Sequence, residues 1–351
     1  DADAVLWGDA AGDFAGATVA FVGDVTGDGE GDILVGVPAD QKGGTAAGGV
    51  VLVPGPLSGE STLSDAGFVL SGTSTETAGL ATARLGDRDG DGLDDFAVGA
   101  PYSAGGGVQR GAVYIFEEGV DADGSLSDAS VILTGVSNYA LGGWSLDSGG
   151  DVDGDGVDDL VIGAKWQSTG MELYAGAAYV FTELPSDQGD LRDAEYHLQG
   201  EAEEDIVGQS VAIVDDVDGD GRADVLVGGV WISPDGDREH AGGAYLVTSS
   251  ALESGSPGPS SLGNATAHFL GENEGDLAGW DVASAGDVNG DGFGDLLISA
   301  PAHTEVVGYD EAGATYLVFG PVEGTVELSD ADARIIGDEL LEWSGASVTG
   351  A

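Results

Sequence analysis

The 351-residue chain contains no cysteine, one methionine and four histidines, and it sets nine basic residues against 64 acidic ones, for a formal net charge of −55. Without cysteine there can be no disulfide framework, thiolate metal site or thiol nucleophile. A polyanion of this size is repelled by nucleic acid backbones and by anionic membrane surfaces, so no nucleic acid partner is expected. No apolar run approaches the roughly 18 residues of a membrane span, and no membrane insertion is expected within this segment. No stretch holds a 3.6-residue apolar periodicity over the roughly 10–12 residues of a helix. The four histidines, His197, His240, His268 and His303, fall in different stretches without metal-ligand spacing, and no Gly-x-Ser-x-Gly elbow occurs. Among so many acids no carboxylate pair is singled out for catalysis, so the chain reads as non-enzymatic.

What the chain has in abundance is glycine, at 64 residues, together with 42% hydrophobic residues, which argues against disorder despite the charge. Glycine and aspartate recur in register. Five nine-residue segments share the pattern Asp-x-(Asp/Asn/Thr)-Gly-Asp-Gly-x-x-Asp, beginning at Asp24, Asp87, Asp151, Asp216 and Asp287, with spacings of 63, 64, 65 and 71 residues. A glycine stands eight residues before each first aspartate (Gly16, Gly79, Gly143, Gly208, Gly279). An apolar run such as Asp95-Phe-Ala-Val-Gly-Ala-Pro101 follows each loop, then a variable loop, a Gly-opened run such as Gly111-Ala-Val-Tyr-Ile-Phe116, and a last short segment before Gly72, Gly135, Gly200, Gly271 or Gly337. Each unit therefore reads as four short strands. Four strands per repeat of this length are the signature of propeller blades. The predicted class is all-β, a β-propeller of four-stranded antiparallel blades, as one domain over 1–351. Its units are 9–72, 73–135, 136–200, 201–271 and 272–337, with partial repeats at 1–8 and 338–351. Residues 1–8 match a fourth strand and 343–351 a first strand, so the sequence predicts a fragment of a larger propeller.

Alternating acids on a tight glycine loop aim their oxygens at one point, and an all-oxygen donor set selects a hard cation, calcium first. Side-chain ligation is expected at positions 1, 3, 5 and 9. These are Asp24, Thr26, Asp28 and Asp32; Asp87, Asp89, Asp91 and Asp95; Asp151, Asp153, Asp155 and Asp159; Asp216, Asp218, Asp220 and Asp224; and Asp287, Asn289, Asp291 and Asp295. Position 7 varies freely (Glu30, Leu93, Val157, Arg222, Phe293), which suits a backbone carbonyl ligand. An EF-hand is excluded because its twelfth-position Glu is replaced by Val35, Val98, Ile162, Val227 and Ile298. About five structural calcium sites are expected. Asp94 and Asp158, beside the loops, read as outer-shell ligands or, in preference, as solvated surface charge.

The unit Phe14-x-Gly16…Gly23-Asp24…Asp32…Gly36-Val-Pro38, with Gly99-Ala-Pro101 and Ser299-Ala-Pro301 later, resembles the FG-GAP repeat of the integrin α-chain β-propeller. Later units depart from it: Thr77, Leu141, Ile206 and Leu277 replace the Phe, and Lys165 and Val230 replace the Pro. The resemblance implies seven blades, of which about two would be missing, with calcium on one face and ligands on the other. It also implies a cell-adhesion or protein-interaction module, extracellular or on the cell surface. The alternative is a carbohydrate-binding propeller, free-standing or appended to a secreted enzyme acting on polysaccharide or lipid. In either case a protein or glycan ligand is expected opposite the calcium loops, on the variable loops 39–47, 102–110, 165–175, 230–241 and 302–312. Candidate contacts there are Tyr102, Trp166, Trp231 and Tyr309, whereas the recurring Tyr114, Tyr179, Tyr245 and Tyr316 read as core. Asn264-Ala-Thr266 is a glycosylation sequon in a secretory setting.

Overall fold

The computed structural model describes residues 2–169, 172–235, 237–254, 258–304, 312–338 and 342–350. They are almost entirely strand and turn, and the two α-helices, Leu63–Ala66 and Ser249–Ser254, are one to two turns long. Alternating glycine breaks and β-branched runs leave no room for more.

Two compact units are present, one of 1–149 with 183–193, the other of 150–182 with 194–351. In the first unit, Val19–Gly23, Asp32–Gly36, Gly49–Val53 and Phe68–Ser71 form an antiparallel meander, and Ala81–Gly86, Asp95–Ala100, Ala112–Phe116 and Val131–Thr134 form the next. In the second unit the same meander recurs as Val207–Val214, Asp224–Gly229, Gly243–Val247 and Ala267–Leu270, and again as Val282–Gly286, Asp295–Ala300, Ala314–Val318 and Ala333–Ile336. A further sheet there holds Leu160–Ala164, Ala177–Phe181 and Tyr196–Gln199. These are the blades read from the repeat, and the all-β propeller-blade class holds.

Among the described residues, four of the five blades have one strand more than the repeat suggested, the sheet of 282–336 having four. A short segment of the following unit pairs parallel with the fourth strand: Gly59–Thr62 with Ala4–Trp7, Gly124–Ser125 with Phe68–Ser71, Gln188–Asp190 with Val131–Thr134, Gly258–Ser261 with Tyr196–Gln199, and Gly324–Glu327 with Ala267–Leu270. The polar residues of these segments hid them from a search for apolar runs. Each occupies hydrogen-bonding groups that an open edge would leave unpaired. A single helical turn follows each one and drives a leucine into the core: Leu63, Leu126, Leu191, Leu262 and Leu328 are all 3% exposed or less.

Most second and third strands are buried along their whole length, as in Asp95–Ala100 and Ala112–Phe116, while Ile33, Leu297 and Leu317 are half-buried. Both faces of each are covered, so they read as continuous apolar runs. Tyr114, Tyr179, Tyr245 and Tyr316 are buried core residues, as expected. Successive repeats touch backbone to backbone through glycine. A Cβ on Gly36, Gly99 or Gly228 would stand 2.2 Å from the carbonyl oxygen of Gly79, Gly143 or Gly279 respectively.

Candidate metal centre

The Asp-Gly loops of the first, second, fourth and fifth repeats close the hairpin between the first and second strands, and the same internal hydrogen bonds build all five loops. The first aspartate accepts from the backbone N–H of position 4 through one oxygen, at 2.7 Å from Gly27, 2.9 Å from Gly90, 2.5 Å from Gly154, 2.6 Å from Gly219 and 2.7 Å from Gly290. Its other oxygen accepts from position 6, where Gly29, Gly92, Gly156, Gly221 and Gly292 lie at 2.7–3.1 Å. These position-6 glycines have φ between +88° and +95°, and the position-4 glycines are also left-handed. A side chain is strained in that region, which explains why glycine recurs at both places. The fifth residue's Oδ1 accepts from the N–H of position 7 in all five loops.

The ninth residue closes the cage from beneath. Asp32, Asp95, Asp159, Asp224 and Asp295 are at most 1% exposed, and each Oδ2 accepts from the N–H of position 2. Oδ1 of Asp32, Asp224 and Asp295 accepts from Gly55, Ser249 and Gly320, just past the third strand. Oδ1 of Asp95 and of Asp159 has no partner, nor has Oγ1 of Thr26, although all three are buried. Burial, and then the neighbouring loop carboxylates, push Asp95, Asp159 and Asp224 up to about 7 against backbone hydrogen bonds that act the other way.

One oxygen from each member of Asp87/Asp89/Asp91, Asp151/Asp153/Asp159 and Asp216/Asp218/Asp224 falls within 4.8 Å of the others. The donor set is carboxylate, hydroxyl and amide oxygen, with no nitrogen or sulfur, and its orphaned buried oxygens fit a hard cation. In the fourth loop the carboxylates are partly engaged already. Asp220 Oδ2 accepts from Ser249 Oγ at 2.6 Å and pairs with Arg222 at 3.1 Å, Arg222 also pairs with Glu253, and Asp218 accepts from Ser250 at 2.8 Å. Asp94 is not merely solvated charge. Its Oδ2 accepts from the N–H of Asp24 at 2.9 Å while Oδ1 pairs with Arg84 at 2.6 Å. The sequence alone could not pair residues 70 positions apart.

At the other end of the strands, Trp166 and Trp231 come together. With Tyr174, Glu204 and Ile206 they line a cleft of about 280 Å³ in the second unit. Trp166 packs edge-on against Tyr174 at 6.0 Å, and Trp231 stacks on His240 at 5.0 Å. Tyr102 lies in the first unit against Trp144. Tyr309 is outside the described residues.

A second recurring feature was missed. An acid sits three residues before the repeated glycine at Asp13, Glu76, Asp205 and Asp276, each at most 9% exposed. Each caps a turn, accepting from the N–H three residues earlier (Ala10, Thr73, Ala202, Asn273). The residue after each is left-handed: Phe14, Thr77, Ile206 and Leu277 have φ of 51–58°. The acids then diverge in their partners. Glu76 accepts from Ser103 and Tyr114, and Asp276 lies 2.8 Å from His303 Nδ1. The signal was their fixed offset from the glycine, obscured because the third unit has Ala140 there.

The family model for the FG-GAP repeat matches residues 81–116, 142–181 and 278–318. Relatives include integrin alpha-5 of Xenopus laevis, 33% identical over 223 residues, 59% of this chain and 19% of the relative. Integrin alpha pat-2 of Caenorhabditis elegans is 29% identical over 214 residues, 57% of this chain and 16% of its own. Integrin alpha-IIb of Homo sapiens is 38% identical over 169 residues, 45% of this chain and 15% of its own. The chain spans less than a fifth of the length of these relatives.

Proposed function

We propose that this FG-GAP repeat protein is a calcium-stabilised, non-catalytic adhesion or protein-interaction module acting outside the cell. The observation that carries the reading is the fivefold recurrence of one prefolded oxygen cage, in a chain similar to integrin alpha chains. Positions 1, 3, 5 and 9 would hold the cation by side chains and position 7 by its carbonyl. Calcium is favoured over magnesium because a loop offering side-chain oxygens at four positions and a carbonyl at a fifth suits its larger coordination number. The cation neutralises carboxylates that burial otherwise drives toward protonation, so its role is structural. With free calcium near 1 mM and Kd of about 10⁻⁴–10⁻³ M, each site adds roughly 0.4–1.4 kcal/mol.

The partner is a protein, held on the loops opposite the calcium. The cleft of Trp166, Tyr174 and Trp231 supports this placement, because aromatic side chains supply large contact area in a polar surround. A carbohydrate is the second reading, favoured only by the same aromatic lining. The test is a matrix-protein and glycan array probed with the whole chain, in calcium and in chelator, beside Trp231→Ala. The proposal expects a calcium-dependent protein hit that weakens at least about tenfold in the variant. Glycan-only hits, or protein binding indifferent to calcium, would overturn it.

A further inference from the structure

The residues that vary at positions 7 and 8 do work that the repeat pattern does not announce. Within each unit, a loop is fastened to the loop of the next repeat. The N–H of position 8 donates to the position-1 carbonyl of the preceding loop, from Asp94 to Asp24 at 3.0 Å, from Ala223 to Asp151 at 2.9 Å and from Gly294 to Asp216 at 2.7 Å. The position-7 side chain covers the preceding loop's position-4 glycine. A Cβ on Gly27, Gly154 or Gly219 would stand 3.1, 3.1 or 2.7 Å from Leu93, Arg222 or Phe293 respectively. The position-2 valine is buried in the core of the following blade. Val25 joins the cluster of Phe96 and Phe116, Val152 that of Val225 and Val247, and Val217 that of Leu296 and Val318. Three contacts of different kinds thus recur at the same positions for the first and second loops in one unit, and for the third, fourth and fifth in the other.

We infer that adjacent loops within a unit bind calcium cooperatively, each loaded loop holding its neighbour in the binding geometry. The inference rests on the cation reading above. A cation on one loop fixes its position 8, and position 8 fixes the carbonyl, and with it the φ/ψ, of the preceding loop's first ligand. Only a difference in affinity between ordered and disordered neighbours can produce coupling, and this fastening supplies it.

The experiment is calcium titration of the whole chain by competition with a chromophoric chelator, comparing the product of all stepwise constants. Two cycles of adjacent loops are built, Asp28→Asn with Asp89→Asn and Asp218→Asn with Asp291→Asn, and the non-adjacent pair Asp28→Asn with Asp291→Asn serves as reference. Each asparagine keeps one oxygen acceptor for the backbone N–H two residues on, so that bond survives, whereas the side-chain bonds from Asn289 to Asp291 and from Ser250 to Asp218 are given up. Independent sites make the losses multiply. The expected result is that each adjacent double variant loses less than the product of its singles, by roughly fivefold or more, while the reference pair multiplies. Multiplication within twofold in both adjacent cycles would overturn the inference. Should a double variant fail to fold, the wild-type isotherm decides: a Hill coefficient above 1 supports coupling, and one at or below 1 overturns it. A wild type that binds no calcium overturns the cation reading itself, which is seen before any variant is compared.

Discussion

Asp205 shows what a single buried acid does to this fold. It is 6% exposed, its Oδ2 accepts from Ala202, and burial pushes it up to about 6 from an ordinary 3.8. The folded chain therefore holds this proton more tightly than the unfolded chain does. The stability linked to it is complete below about pH 4 and is lost as pH rises through about 6. Asp205→Asn keeps the acceptor for Ala202 and removes the titration. In saturating calcium, denaturant melts at pH 4 and pH 7 should show the variant more stable at pH 7 by about 1–3 kcal/mol, with little difference at pH 4. An unchanged pH slope would count against burial as the cause. The loop acids call for a different test. Asp91 Oδ1 accepts from the N–H of Leu93, so alanine would damage the loop in any condition. Asp91→Asn retains that acceptor, and it should lower thermal stability in calcium yet leave it equal or raised in chelator, because a repulsive charge has gone. In the fourth loop Arg222 competes for Asp220, so Arg222→Ala should tighten calcium binding severalfold, read by chelator competition; weaker binding would argue that the arginine supports the site.

At the scale of the element, the parallel fifth strand and its leucine turn hold the blade edges. Leu126 is 1% exposed and shares a core cluster with Leu70, Phe96 and Tyr114. Leu126→Ala should cost about 2–5 kcal/mol in denaturant melts, with or without calcium, whereas a loss below 1 kcal/mol would show that the turn is peripheral. Gly99→Ala should be as severe, because its new Cβ meets a backbone carbonyl that cannot rotate away. The strands and the metal loops were legible in sequence because each carries a chemistry that survives alone: apolar runs between glycines, and alternating oxygens. Gly124–Ser125 carries no such mark; its pairing with Phe68–Ser71 depends on a neighbour more than 50 positions away. The same holds for Trp166 and Trp231, which were readable as candidates but not as neighbours. The position-7 residues were readable only as variable, since one position holds Leu, Arg and Phe for a shared contact that tolerates all three.

For the molecule as a whole, the decisive quantity is its charge. A formal −55 with few basic residues makes self-repulsion large, and the loops concentrate part of it in cages a few ångströms across. Sodium chloride should therefore raise the melting temperature in chelator by screening, and do so less in calcium, where cations already neutralise the cages. A salt response identical in both would separate the acidity from the loops. The central claim is that the repeated oxygen cages hold calcium and that the fold depends on it. It is tested most directly by equilibrium dialysis of the whole chain against calcium, with thermal melts of the same samples. About five calcium ions per chain, and a melting temperature that falls on chelation and recovers on calcium return, is the predicted result. No bound calcium, or melting unchanged by chelation, would contradict the claim.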